Sequence, residues 1–262
     1  MLISLNNSKP IIIIDSGYYV FYRYFATYKW YMFQKKEFTE EEFNKSFIKH
    51  MEADIKKITK KWKTDISNVI FGIDCPRAKI WRNDIFSEYK ATRTRNINFN
   101  QNIFKIFYDY IENKNILKLC LDRLEADDII YLIYNKLKTI SKQKKIIITN
   151  DNDYLQLIDD STSIYNMQFK NIKDRGFNNG RINLYYKSLI GDKSDNIQKI
   201  SSIITKELAI EISSMNENEM YSWLKDKDLL DKFNFNMKLI SFDEIPVEYI
   251  EKFNNIYNFT CV

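Results

Sequence analysis

Three short apolar runs, each closed by an aspartate, constrain the fold of this chain more than any other feature. Residues 11–14 are followed by Asp15, residues 69–73 by Asp74, and residues 146–149, after Asn150, by Asp151. Their brevity, β-branched content and abrupt polar ends are those of strands buried on both faces of a parallel sheet. Segments with helical spacing at 43–62, 103–113 and 126–137 lie between them, which predicts right-handed βαβ crossovers and an α/β sheet. Ligands of such sheets bind beyond the carboxyl ends of the strands. Three separate strands therefore deliver a carboxylate to that edge. After about Gly180 the pattern changes: 184–190, 199–213 and 216–225 read as short helices, with no further convincing strand. The predicted organisation is an α/β domain over 1–180 and a helical region over 181–262.

Further acids join these three. Glu125, Asp127 and Asp128 open a helix in LEADDIIYLIYNKL, Asp153 follows Asp151 in TNDNDYLQLI, and Asp192 and Asp195 lie in LIGDKSDNI. A single aspartate after a strand is commonly a helix N-cap. Nine acids at one edge with few bases among them instead repel one another and raise their own pKa values, a conflict that divalent cations resolve. An all-oxygen ligand set selects Mg²⁺, with Mn²⁺ as a substitute. Two such ions are a known device for phosphoryl chemistry. The net charge is only +5, yet setting these nine acids aside leaves 26 acids against 40 bases. An acidic pocket in a basic surround suits a polyanionic substrate.

Other chemistries are excluded. His50 is the only histidine, and Cys75, Cys120 and Cys261 are far apart, so a structural zinc site and histidine-dependent nucleophilic catalysis are unsupported. No apolar run reaches the roughly 18 residues of a membrane span, and residues 1–10 lack the order of a signal peptide. These features predict a soluble cytoplasmic protein, with monomer as the default.

Directly after Asp74 comes CPRAKIWRNDIFSEYKATRTR. A helix starting near Ala78 would carry Arg82, Glu88, Tyr89 and Lys90 at about one-turn intervals. Arg82, Lys90, Arg93 and Arg95 would then form a basic flank beside the acids. A lysine near a scissile phosphate neutralises developing charge, and a tyrosine can stack on a terminal base.

IIIIDSGYYVFYR, FGIDCPRAKIWRNDIFSEYKATR, LEADDII, IITNDNDYLQLI and LIGDKSDNI together resemble, in order, the motifs of the 5′-nuclease (flap endonuclease) superfamily. Within it they are most similar to the RNase H-type 5′-to-3′ exonucleases of T-even bacteriophages. The resemblance implies a parallel-sheet nuclease domain of PIN-like or resolvase-like form, followed by a small helical region with a helix-three-turn-helix. It implies a first ion held by Asp15, Asp74, Glu125, Asp127 and Asp151, and a second held by Asp128, Asp153, Asp192 and Asp195. Lys90 would be the electrophilic catalyst, with Arg82, Asp127 and Asp151 also in catalytic roles. Arg82, Tyr89, Lys90, Arg93, Arg95, Lys193, Lys199 and Lys206 would contact nucleic acid. The implied substrate is a nicked, flapped or RNA–DNA duplex, cut to leave 5′-phosphates. A single-strand-binding protein or sliding clamp is the implied protein partner. The family's Gly-rich hairpin, which binds duplex through amides and a K⁺ ion, is replaced by QKISSIITKELAIEI. The rival expectations are a PIN-like single-strand ribonuclease and a non-catalytic DNA-binding module.

Overall fold

The computed structural model describes residues 1–35, 37–94, 99–159 and 162–261. Its centre is a five-stranded, all-parallel sheet of order β4-β3-β2-β5-β6. The strands are β2 (Ile11–Asp15), β3 (Val69–Gly72), β4 (Leu117–Leu119), β5 (Lys145–Ile148) and β6 (Thr162–Tyr165). Side chains alternate across a strand, and the four isoleucines of β2 serve both faces. Ile12 and Ile14 enter a core with Tyr19, Phe47, Met51, Phe71 and Phe107. Ile11 and Ile13 enter the opposite core with Ile129, Ile130, Ile133 and Ile147. The first face is covered by α1 (Ser16–Phe33), α2 (Glu40–Trp62) and α4 (Asn102–Asn113), the second by α5 (Ala126–Ile140). Chain order reverses at β2, between β3 on one side and β5 on the other. That switch point is where a ligand crevice opens in this topology.

One glycine sets how closely the acidic helix approaches the sheet. A Cβ on Gly72 would lie 2.6 Å from Ile130 Cγ1 and 2.9 Å from the Ala126 carbonyl oxygen. Only a residue without a side chain lets the first turn of α5 lie this close to the end of β3.

The helical region builds a core of its own. In it α6 (Gly180–Ile190), α7 (Lys206–Ser214), α8 (Glu217–Asp226) and α9 (Leu230–Ile240) enclose Leu189, Ile204, Ile212, Leu224 and Phe233. The loop between α6 and α7 turns at Gly191 (φ +75°) and is pinned by the Asp192–Ile197 bridge. The expectation of helix throughout 199–213 is corrected, since α7 begins only at Lys206, capped by Thr205.

Beyond α9 the chain returns to the α/β unit. Phe242, Ile245, Phe253, Tyr257 and Phe259 pack into the core beneath α5. After α10 (Val247–Ile256), β7 (Asn258–Cys261) pairs in parallel with β1 (Leu2–Leu5). A purely helical reading of 181–262 is amended here, because the apolar outer face of α5 needs this cover. We propose a boundary near residue 180, with the described residues from Phe242 onward belonging to the first unit. Among the described residues, no helix is long and apolar enough to cross a membrane.

Candidate metal centre

The carboxylates collect at the C-terminal edge of the sheet. Asp15 ends β2 and caps α1, accepting from Tyr18 N (3.0 Å), Thr149 Oγ1 (3.2 Å) and Tyr154 Oη (3.3 Å). Asp74 follows β3 and accepts from Ala126 N at 2.9 Å. Asp127 sits in the first turn of α5, and Asp151 follows β5, accepting from Asp153 N at 3.0 Å. With Lys90, Arg93 and Glu125 they line a cavity of about 470 Å³.

Ion pairing divides the acids into two populations. Among the described residues, Asp15, Asp74, Asp127 and Asp151 have no salt-bridge partner. Asp74 and Asp151 line the pocket and are solvent-exposed there. Desolvation and the neighbouring Asp15 push Asp74 up to about 7, and desolvation with Asp153 does the same for Asp151. Burial, then Glu125 and Asp128, raise Asp127 well above the usual range, and burial also raises Asp15. The remaining five acids are compensated. Glu125 receives Lys90 Nζ, Arg82 Nη1 (3.0 Å) and Tyr89 Oη (3.0 Å). Asp195 receives Arg93 and lies 3.6 Å from Lys90 Nζ. Asp153 and Asp192 share Lys187, the latter at 2.6 Å. Against the cost of burial, Lys187 holds Asp192 down to about 2 and lowers Asp153.

A divalent cation fits this donor set. Carboxylate oxygens of Glu125, Asp127 and Asp128 lie within 4.8 Å of one another, as do those of Asp153, Asp192 and Asp195. Hard oxygen donors suit a hard cation, and Asp127, with Asp15, Asp74 and Asp151 lining the same pocket, brings the charge that no ion pair among the described residues offsets.

Four expectations from the sequence are corrected. Asp128 lies with Glu125 and Asp127, not with the second group. It is fully buried, and its oxygens accept Arg82 Nη1 (2.9 Å), Arg82 Nη2 (2.7 Å) and Trp81 Nε1 (3.0 Å), so it holds an arginine rather than facing a second ion. Arg82 is 1% exposed, with Nε bound to the Leu239 carbonyl at 2.8 Å, and is buried rather than part of an exposed basic flank. Tyr89 is 5% exposed and packs with Ile80, Ile197, Leu239 and Ile240 beneath the pocket, so its ring is closed to a base. Finally, no helix runs from 78 to 90. A four-residue α3 (Arg82–Ile85) ends at Phe86 in extended conformation, and Lys90 takes a left-handed φ of 56° that aims its amine into the pocket.

Lys90 and Arg93 remain at the pocket, Arg93 half-exposed. Lys193, Lys199 and Lys206 are exposed on the α6–α7 hairpin, where Lys199 Nζ donates to the Ile204 carbonyl at 2.9 Å. Arg95 lies outside the described residues. Two functional candidates were not anticipated. Phe21 on α1 is 41% exposed at the pocket mouth, its ring centroid 4.3 Å from that of Phe99. Its signal was a position six residues after Asp15, on the helix that aspartate caps. Lys187 gave no signal, being one of many lysines on amphipathic helices.

A family model for the N-terminal, resolvase-like domain of 5′-3′ exonucleases matches residues 10–181, well over half of the chain. The chain belongs to the 5′-3′ exonuclease family. A 5′-3′ exonuclease of Mycoplasmopsis pulmonis is 27% identical over 205 residues, covering 76% of this chain and 64% of that protein. One from Buchnera aphidicola is 28% identical over 201 residues, covering 74% and 67%. This family member thus spans about two thirds of the length of those curated relatives. In fold it is similar to the bacteriophage T5 D15 protein crystallised with metal ions (TM-score 0.66, 15% identity, 95% and 98% of the two chains). It is also similar to a variant of the T5 flap endonuclease in a pseudo-enzyme-product complex with DNA and metal ions (TM-score 0.64, 16% identity, 95% and 97%).

Proposed function

We propose that this chain is a Mg²⁺-dependent 5′-to-3′ nuclease that hydrolyses phosphodiesters at free or flapped 5′ ends of duplex DNA and RNA–DNA hybrids. Its proposed setting is the cytoplasm of an infected cell, removing primers during phage or viral replication. The observation that carries this reading is the set of four unpaired carboxylates from separate chain segments, rimmed by Lys90 and Arg93. Membership of the 5′-3′ exonuclease family supports it.

Divalent cations bound here would lower the pKa of a water and offset charge on the leaving oxygen. The chain's own part is positional. Asp15, Asp74, Asp127 and Asp151, with Glu125, present oxygens for a first cation, and Asp153, Asp192 and Asp195 for a second. Glu125 holds the Lys90 amine at the pocket wall, where it faces a phosphate and stabilises developing negative charge. Arg93 adds a second cationic contact. Phe21 offers an aromatic face to an unpaired base, worth about 1–3 kcal/mol. Lys193, Lys199 and Lys206 supply the backbone-neutralising charge of the hairpin.

The test is a 5′-labelled flap duplex incubated with Mg²⁺. Short labelled products are expected, with weaker flap binding by Phe21→Ala. Cutting of single-stranded RNA that needs no duplex would favour a PIN-like ribonuclease. Duplex binding without cutting, in Mg²⁺ and in Mn²⁺, would leave a binding module.

The raised carboxyls also set a pH dependence. Between about pH 4 and pH 7 the folded chain holds protons on Asp74 and Asp151 that the unfolded chain has released. Their contribution to stability is therefore full at low pH and is lost as pH rises through about 7. Cation binding displaces those protons. Stabilisation by Mg²⁺ is expected to be small at pH 5 and to grow by about 1–2 kcal/mol by pH 8, a figure discounted for solvent access to both groups. Thermal melts with and without Mg²⁺ across that range check it. An increment independent of pH would contradict cation binding at these two carboxylates.

A further inference from the structure

The N-terminal edge of the sheet, at the far end from the metal pocket, carries cations that the proposed chemistry does not use. Lys60, Lys61 and Lys63 stand at the end of α2, the last of them with a left-handed φ of 52°. Lys142 and Lys144 lie in the link from α5 to β5. All five are exposed, and among the described residues none has a salt-bridge partner. Asp65, two residues after Lys63, is taken up by Lys9 at 2.7 Å and by Asn6 Nδ2 at 2.9 Å.

The chain at 6–10 holds the two groups on one face. Gln143 donates to the carbonyls of Asn6 and Lys9, Ile11 N bonds the Lys144 carbonyl at 3.0 Å, and Thr64 Oγ1 donates to the Pro10 carbonyl. Asn7, Ser8, Lys142 and Lys144 line a cleft of about 380 Å³ there. Lysines after a helix complement its C-terminal dipole, which accounts for either group alone. It does not account for groups from two helices meeting beside a polar cleft, with the nearby carboxylate already engaged. Uncompensated ammonium groups around hydroxyl and amide donors fit a run of phosphates. A lipid surface would call for exposed aromatic anchors, whereas Trp62, among these lysines, packs against Tyr165 and Phe169.

We propose that this edge is a second nucleic-acid site, which grips the phosphate backbone of a duplex other than the one at the metal pocket. From Ile11 to Asp15, β2 puts about 13 Å of strand between the two. Duplex DNA is stiff over about 150 base pairs, so a short duplex docked at the pocket does not bend round to this face. Lys60, Lys61 and Lys63 meet one stretch of phosphates, and Lys142 and Lys144 meet the next across the cleft. Recognition is by charge and is indifferent to sequence. One chain thereby holds two segments at opposite ends of its sheet. The second is held without being cut, because the candidate metal centre lies at the other end. The proposal goes beyond the metal-dependent reading and does not depend on it.

The test counts blunt DNA duplexes of about 12 base pairs, little more than one helical turn, bound per chain in chelator by sedimentation. The wild type is expected to bind one duplex more than an edge variant combining Lys60→Gln, Lys61→Gln, Lys63→Gln, Lys142→Gln and Lys144→Gln. That extra event should weaken about a hundredfold between about 50 and 200 mM salt. A control combining Lys225→Gln, Lys227→Gln, Lys232→Gln, Lys238→Gln and Lys252→Gln removes as many exposed charges elsewhere and is expected to keep the wild-type count. Equal counts for wild type and edge variant would overturn the proposal, as would an equal loss in the control. Phosphatidylserine vesicles held by the wild type and released by the edge variant, with no difference in duplexes, would give the face to a membrane instead. If circular dichroism shows the edge variant unfolded, Lys142→Gln with Lys144→Gln alone is judged by the same criteria. A wild type that binds one duplex and an edge variant that binds none would uphold this site while removing duplex binding from the pocket, so the two readings fail separately.

Discussion

Asp74→Asn is expected to stabilise the metal-free protein while lowering cleavage by about 10³-fold or more. The two effects have one cause. Asp74 has no cationic partner, and its carboxyl is pushed up to about 7 by desolvation and by Asp15. At pH 8 the folded chain therefore carries a charge it would be more stable without. Asparagine keeps an oxygen to accept from Ala126 N, the one hydrogen bond of Asp74 among the described residues, and it removes the repulsion. A gain of about 1 kcal/mol is expected after allowing for the open pocket side. The same neutral amide is a poorer cation ligand, so the gain in stability comes with loss of chemistry. Urea unfolding in chelator at pH 8, beside the flap assay, separates the outcomes. Loss of both stability and activity would make Asp74 a structural residue, and full activity would remove it from the metal set.

Arg82→Ala should act in the opposite sense, costing about 3–5 kcal/mol of folding stability. The guanidinium is buried and makes two contacts to Asp128, one to Glu125 and one to the Leu239 carbonyl. Removing it leaves two carboxylates in the interior with much of their compensation gone. It also cuts the link between α5 and the end of α9. Lysine at this position retains the charge without the planar fork, so Arg82→Lys should fall between wild type and alanine. Denaturant midpoints measure both variants. A loss below about 1 kcal/mol for the alanine variant would mean that the pair contributes little, as at exposed sites.

These two residues also show what could be read without coordinates. Asp74 was legible because β3 is buried on both faces and advertises itself as a continuous apolar run, so the residue after it must emerge at the sheet edge. The same logic found β2, β5 and, between them, α2, α4 and α5. It missed β4, three residues with a lysine at the centre, and β6, whose pattern is half polar. It missed β1 and β7, each short and paired only with a partner some 256 residues away. It also missed α1, whose tyrosines and phenylalanines spread around the helix and blur its period. Arg82 was misread because its residue type and its neighbours suggested solvent. Its burial depends on Leu239, 157 positions further on, and no local pattern carries that information. Tyr89 failed for the same reason, and Lys187 went unread because its partners sit on two other segments.

The switch-point geometry has a bearing on safety. Asp15 and Asp151 become neighbours only when β5 docks beside β2, in the register Ile11 to Lys145 through Ile14 to Ile148. A ribosome must therefore release more than half of the polypeptide before the first-site carboxylates can meet, and Asp192 and Asp195 arrive later still. A fragment that ends before β5 lacks Asp151 and the strand that places it beside Asp15. The proposed chemistry is thus withheld by topology until the sheet and the α6–α7 hairpin have both assembled.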